Sequence, residues 1–153
     1  MLPATTRRVP EHTPQQINEH ILRDTEKNVA GVAAAGPAAI HRRLAELDQE
    51  WDIERALETN AATAVLIGVS LAASRGRGWL LLPAAVAGFL LQHALQGWCP
   101  PVPIFRRLGF RTASEIDHER YALKALRGDF ENLSPTSSCD RAPVSRALHA
   151  VER

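Results

Sequence analysis

The chain has few aromatic residues, only two cysteines and almost no net charge, and it holds one long stretch nearly without charged side chains. Aromatics are 5% of the 153 residues, while Ala and Leu dominate, which favours helix over strand. A net charge of +1 excludes the strongly basic surface of an electrostatic nucleic-acid binder, so no nucleic-acid partner is expected. Cys99 and Cys139 lie far apart and form no CxxC pair. With no secretory leader they read as reduced thiols rather than a disulfide. The opening MLPATTRRVPEH has two arginines but no apolar core behind them, so it is not a signal peptide. No motif names a reaction or a cofactor, and the chain reads as non-enzymatic.

What is present is segregation. From Ala61 to Leu91 the only charges are Arg75 and Arg77, while both flanks are dense in Arg, Glu and Asp. AATAVLIGVSLAAS, a short RGRG break and WLLLPAAVAGFLLQHALQGWC read as two membrane-spanning helices, about 56–74 and 79–98, joined by a tight turn. At about 1.5 Å per residue each reaches roughly 28–30 Å, close to the hydrocarbon thickness of a bilayer. The uninterrupted apolar cores are short, as in buried helices of soluble proteins. They carry almost no polar stripe, however, as lipid-facing helices require. Arg43, Arg55, Arg106, Arg107 and Arg111 outnumber Arg75 and Arg77, which places both termini in the cytoplasm. The expected fold class is all-α: a membrane-embedded hairpin, 56–98, flanked by cytoplasmic amphipathic helices.

Residues 1–12 show no periodicity and are expected to be disordered. Thr13-Pro14-Gln15-Gln16 has the residues of a helix start, predicting a helix to about Val29, followed by a flexible GVAAAGP break. Over 37–59, Ile40, Leu44, Leu47 and Trp51 recur at helical steps, predicting one amphipathic helix either packed on another helix or lying on the membrane surface. The 13–59 region is thus a pair of cytoplasmic or interfacial helices. Cys99-Pro100-Pro101-Val102-Pro103 is a rigid exit, and the box Thr112-Ala113-Ser114-Glu115 opens a helix to about Arg127, ending at Gly128. Residues 131–153 turn to Ser, Thr and Pro and are expected to be a disordered tail.

QGWCPPVPIFRRLGF, directly after the second apolar run, RTASEIDHERYALKALRGDF behind it, and RRLAELDQEWDIERALETNAA upstream resemble a family of short bacterial two-span proteins. These share the transmembrane domain of YgaP-type inner-membrane proteins. The resemblance implies insertion in the bacterial inner membrane and a helical-hairpin homodimer. In YgaP-type proteins the domain is fused to a rhodanese sulfurtransferase. That domain is missing here, and Cys99 is followed by Pro-Pro-Val-Pro-Ile rather than a CxxGxR loop, so no sulfurtransferase activity carries over.

Asn60, Ala64, Gly68 and Ala72 fall on one helical row, and Ala84, Gly88, Gln92 and Gln96 on another. Small residues so spaced let backbones approach closely in lipid. Counted from the turn, Ala64 lies level with Gly88 and Asn60 with Gln92. The rows therefore either face each other within the hairpin or serve a dimer, unless they are chance in an Ala-rich segment. His93 is the one ionisable side chain within the second span, a functional candidate by default, or a side chain reaching the headgroups. Cys99 sits at the membrane edge as a candidate thiol, with no Lys or Arg within five residues to activate it. His93 and Cys99 alone make no metal site. Three readings follow: a non-enzymatic, self-associating inner-membrane protein whose partners are the bilayer and a second copy; a membrane-bound thiol (persulfide) carrier using Cys99; and a soluble all-helical domain.

Overall fold

The computed structural model describes residues 4–131 and 141–152, and among these every regular element is helical. In chain order they are α1 (Arg8–Glu11), α2 (Gln15–Ala34), α3 (Pro37–Gln49), α4 (Ile53–Arg75), a 3₁₀ turn (Arg77–Leu80), α5 (Leu81–Gln96), α6 (Val102–Arg107), α7 (Ala113–Arg127) and α8 (Arg141–Glu152). Two helical segments are long and apolar enough to cross a membrane, one ending at Arg75 in α4 and the other covering Arg77–Gln96.

The boundaries depart from the sequence expectations where tertiary partners or caps intervene. Residues 1–12 are not wholly irregular: α1 forms because Val9 is buried and Arg8 finds a carboxylate partner in α4. The GVAAAGP break lies later than expected, because alanines carry α2 through Gly31 to Ala34 and the chain turns at Gly36, φ +90°. The single helix expected over 37–59 is two. α3 stops at Gln49, and Asp52 caps a new helix by accepting a 2.7 Å hydrogen bond from the Arg55 N–H. The Pro-rich exit holds the short α6, with Pro101 as its N-cap and Pro103 in its first turn, where a missing N–H leaves no bond unmade. The expected disordered tail contains α8, an Ala-rich segment, with Pro143 likewise in its first turn. Positions 132–140, with Cys139, lie outside the described residues.

The described chain forms two compact units. The first comprises Met1–Asp24 and Glu50–Ile116 and contains the α4–α5 hairpin. Its core, at the open end of the hairpin, is Val9, Ile53, Leu57, Cys99 and Val102; Phe105 and Phe110, edge-to-face with each other, pack against it. The Ile53 N–H donates to the Arg111 carbonyl at 2.8 Å, tying the start of α4 to the chain after α6. Arg106 is fully buried and forks onto Glu115 at 2.6 and 2.7 Å, while also donating to the Phe110 carbonyl and Asn18 Oδ1. Burial alone would raise the Glu115 carboxyl. The Arg106 guanidinium and the Thr112 N–H outweigh it and hold Glu115 below the usual carboxylate range.

The second unit comprises Thr25–Gln49 and Asp117–Arg153. Ile40, Leu44 and Leu47 form the buried stripe of α3, and Leu123 is buried on α7. Glu119, also buried, receives Arg43 at 2.7 and 3.2 Å. Arg120 pairs with Asp48, and Lys124 donates to the Val151 carbonyl of α8.

Candidate functional site at the base of the hairpin

The site is assembled where α4 begins and α5 ends. Glu54 stands in the first turn of α4, His93 in the last turn of α5, and Cys99 two residues beyond the left-handed Gly97 that closes α5. Gly97 is required there twice over. Its φ of +81° suits glycine, and a Cβ at this position would lie 2.4 Å from the Arg8 carbonyl carbon. The N-terminal segment can therefore lie directly on the end of α5.

Arg8 secures that segment. One amino group donates to Glu54 Oε1 at 2.8 Å, and the other donates to the Ala94 carbonyl at 2.9 Å, one of the carbonyls that a helix end leaves open. A cation at the C-terminus of α5 also matches the helix dipole. On the other side of the same carboxylate, His93 Nε2 lies 2.7 Å from Glu54 Oε2. Because a carboxylate only accepts, Nε2 carries a proton, and Nδ1 is the ring nitrogen that faces away from Glu54. His93 is 4% exposed and Cys99 3%, and the Cys99 thiol lies beside the imidazole. His93 Nδ1 and Arg8 Nε are both buried and without an aligned hydrogen-bond partner. Most buried polar atoms in folded proteins are satisfied; Arg106 Nε and Arg120 Nε are unpartnered elsewhere, and here two such atoms belong to side chains that share one carboxylate.

Sequence reasoning named His93 and Cys99 separately and missed Glu54 and Arg8. Glu54 was legible only as one of several acids before the apolar run. Arg8 had no local signal, because its partners are distant in sequence. The two small-residue rows do not face each other. Gly68 is buried against α5, where a Cβ would lie 2.5 Å from Pro83 Cδ, with Ala64 and Ala72 half-buried beside it. Ala84 and Gly88 instead lie on the exposed face of α5, and a Cβ on Gly88 would meet nothing within 4 Å. Gln92 is half-buried, while Asn60 and Gln96 are exposed. The inward face of α5 is made by Pro83, Val86, Leu90 and His93.

Among the described residues no group of three or more His, Cys, Asp or Glu side chains is arranged to hold a metal ion. No family model, curated protein or solved structure matches the chain.

Proposed function

We propose that this is a bilayer-anchored, non-enzymatic two-span protein of the inner membrane. Its α4–α5 hairpin lies in the lipid and the other helices on the cytoplasmic side. The observation that supports this most is the exposure of the apolar arm. The core helix of a globular protein is mostly buried, whereas only 17% and 6% of the two apolar windows are. Leu81, Leu66 and Leu91 are 76%, 69% and 62% exposed, a surface that water disfavours and lipid accepts. Trp79 at the turn, and Trp51 and Trp98 at the open end, are where interfacial anchors are expected. The arginine distribution supports a turn on the outside. The resemblance to the YgaP-type domain points the same way, and the exposed Ala84 and Gly88 offer a close-approach face to a second copy.

Fractionation followed by an alkaline carbonate wash tests the reading. Retention in the pellet until detergent is added supports a spanning hairpin. Release by the wash, or a soluble monomer from the outset, overturns it in favour of a surface-bound or globular helical domain. A single cysteine at Ser74, labelled from outside only, is the expected orientation. The grouping of Cys99 with His93 and Glu54 favours a second reading, a membrane-bound thiol component.

A further inference from the structure

We propose that Cys99, His93 and Glu54 form a nucleophile, a general base and its positioning residue, and that the electrophile they serve is a low-molecular-weight disulfide. This rests on the thiol reading and not on the hairpin spanning a bilayer.

The geometry supplies each role. The Glu54 carboxylate fixes the imidazole through Nε2 at 2.7 Å and stabilises the charge that the ring acquires on taking a second proton. His93 Nδ1, buried and without an aligned hydrogen-bond partner, is the nitrogen left to take that proton, and the Cys99 thiol lies beside the ring. Arg8 and Glu54 are the charged groups that the adjoining α1 and α4 bring to the imidazole; α5 and the segment to Cys99 add only the thiol.

The exchange balances without any other reactant. Cys99 Sγ bonds to one sulfur of the disulfide as its proton passes to His93 Nδ1. The S–S bond breaks, its electron pair leaves with the second sulfur, and His93 returns the proton to that thiolate. Cys99 is oxidised to a mixed disulfide and one equivalent of free thiol is released. A disulfide is chosen over a thioester because attack at sulfur creates no tetrahedral oxyanion. Acyl transfer calls for a preorganised oxyanion site as well. The thiol is covered by its own chain, Val9 packing in the same core, so reaction proceeds through local opening of the four-residue α1.

The test uses full-length protein in detergent with Cys139→Ser as background and 4,4′-dithiodipyridine as probe, reading pyridinethione release at pH 7. The parent is expected to react at Cys99. His93→Gly is expected to slow this about 100-fold, with added imidazole restoring the rate, a rescue that a purely structural histidine does not show. Glu54→Gln, which keeps the side-chain shape, is expected to give a smaller loss in the same direction. His93→Gln, checked by circular dichroism, guards against misfolding of the glycine variant and is expected to be slow and unrescued. Each variant should match the parent once unfolded in urea. A faster or unchanged rate in the His93 variants, or no response to imidazole, overturns the proposal, since loosening a merely packed thiol speeds its reaction. Reaction of the native parent with an acyl thioester but not with the disulfide overturns the disulfide assignment and leaves the thiol reading standing. No reaction of the native parent with either overturns both.

Discussion

Along its length the α4–α5 hairpin is built in two ways. The arm, from Thr63 to Leu91, touches itself through Gly68, Pro83 and Leu82 and turns Leu66, Ile67, Leu81, Phe89 and Leu91 outward. Its hydroxyls, on Thr63, Ser70 and Ser74, donate to carbonyls four residues back, so they ask nothing of the surroundings. At the base the same two helices bury His93, Ile53 and Leu57, fasten α1 through Arg8 and share a core with Cys99 and Val102. The arm satisfies its backbone internally and leaves apolar surface to an outside solvent. The base pairs its charged groups with distant parts of the chain and leaves His93 Nδ1 and Arg8 Nε without an aligned partner. The difference teaches that apolar composition identifies the arm, whereas only tertiary contacts define the base.

The largest effect is expected where the base buries a charge pair. Arg106→Ala leaves the Glu115 carboxylate without the guanidinium that compensates its burial, and a loss of about 3–5 kcal/mol is expected in denaturant titrations of the detergent-solubilised protein. Because Glu115 is held below the ordinary carboxylate value of 4.5, the stability it contributes is complete above that value. It fades as pH falls through the lower folded value. The parent should therefore show an acid-side loss of stability that Arg106→Ala lacks; an identical slope in both proteins would place the acid sensitivity elsewhere.

The arm answers to a different test. Leu66→Lys puts a charge on the most exposed large hydrophobic residue of α4. In the proposed bilayer this costs about 2.5–3.5 kcal/mol of insertion free energy, moving protein from the carbonate-resistant pellet to the wash. On a water-exposed helix the same change is worth under about 0.5 kcal/mol, so unchanged fractionation would erase the contrast between arm and base.

A smaller effect separates the two faces of the arm. Gly68→Ala sets a methyl 2.5 Å from Pro83 Cδ, on a ring held by its own backbone, so the helices must part. A loss of about 1–3 kcal/mol is expected by unfolding in denaturing detergent. Gly88→Ala meets nothing within 4 Å and should gain up to about 1 kcal/mol from helix propensity in the monomer. Cross-linking then reports whether that face holds a second copy, because the added methyl weakens a close-packed dimer and leaves a monomer unaffected.

These contrasts also mark how far the sequence could be read. The Ala- and Leu-rich composition carries the all-helical class, and the charge-free run between Ala61 and Leu91, broken only by Arg75 and Arg77, carries the two long apolar helices. Both are local properties. The break before α4 was also written locally, in Asp52 as a cap, but the Ile40-to-Trp51 periodicity runs straight across it and hides it. The candidate site was only half legible. His93 and Cys99 stand out as an ionisable group and a thiol at the edge of an apolar run. Arg8 belongs to a segment without periodicity, and Glu54 meets His93 only because the two helices come together with Pro83, Val86 and Leu90 facing inward. Counting residues outward from the turn pairs Asn60 with Gln92 instead, more than a helical turn away from the contact that forms.

The mildest perturbation tests how independent the base's polar contacts are of one another. Thr112 and Glu115 satisfy each other's orphan backbone donors at the start of α7: the Thr112 N–H donates to Glu115 Oε2 at 2.8 Å, and the Glu115 N–H donates to Thr112 Oγ1 at 3.3 Å. Thr112→Ala removes only the longer bond and the Thr112 Oγ1–Ser114 Oγ contact at 3.0 Å. The Glu115 carboxylate keeps both Arg106 and the residue 112 N–H. The expected loss is about 1 kcal/mol, read as a shift in denaturation midpoint with the denaturant slope unchanged. Combined with Arg106→Ala, the cap substitution should fall short of additivity, because an unpaired Glu115 no longer holds the geometry that the cap completes. Full additivity would mean that the cap and the buried ion pair act separately, and that the base is a set of local devices rather than one network.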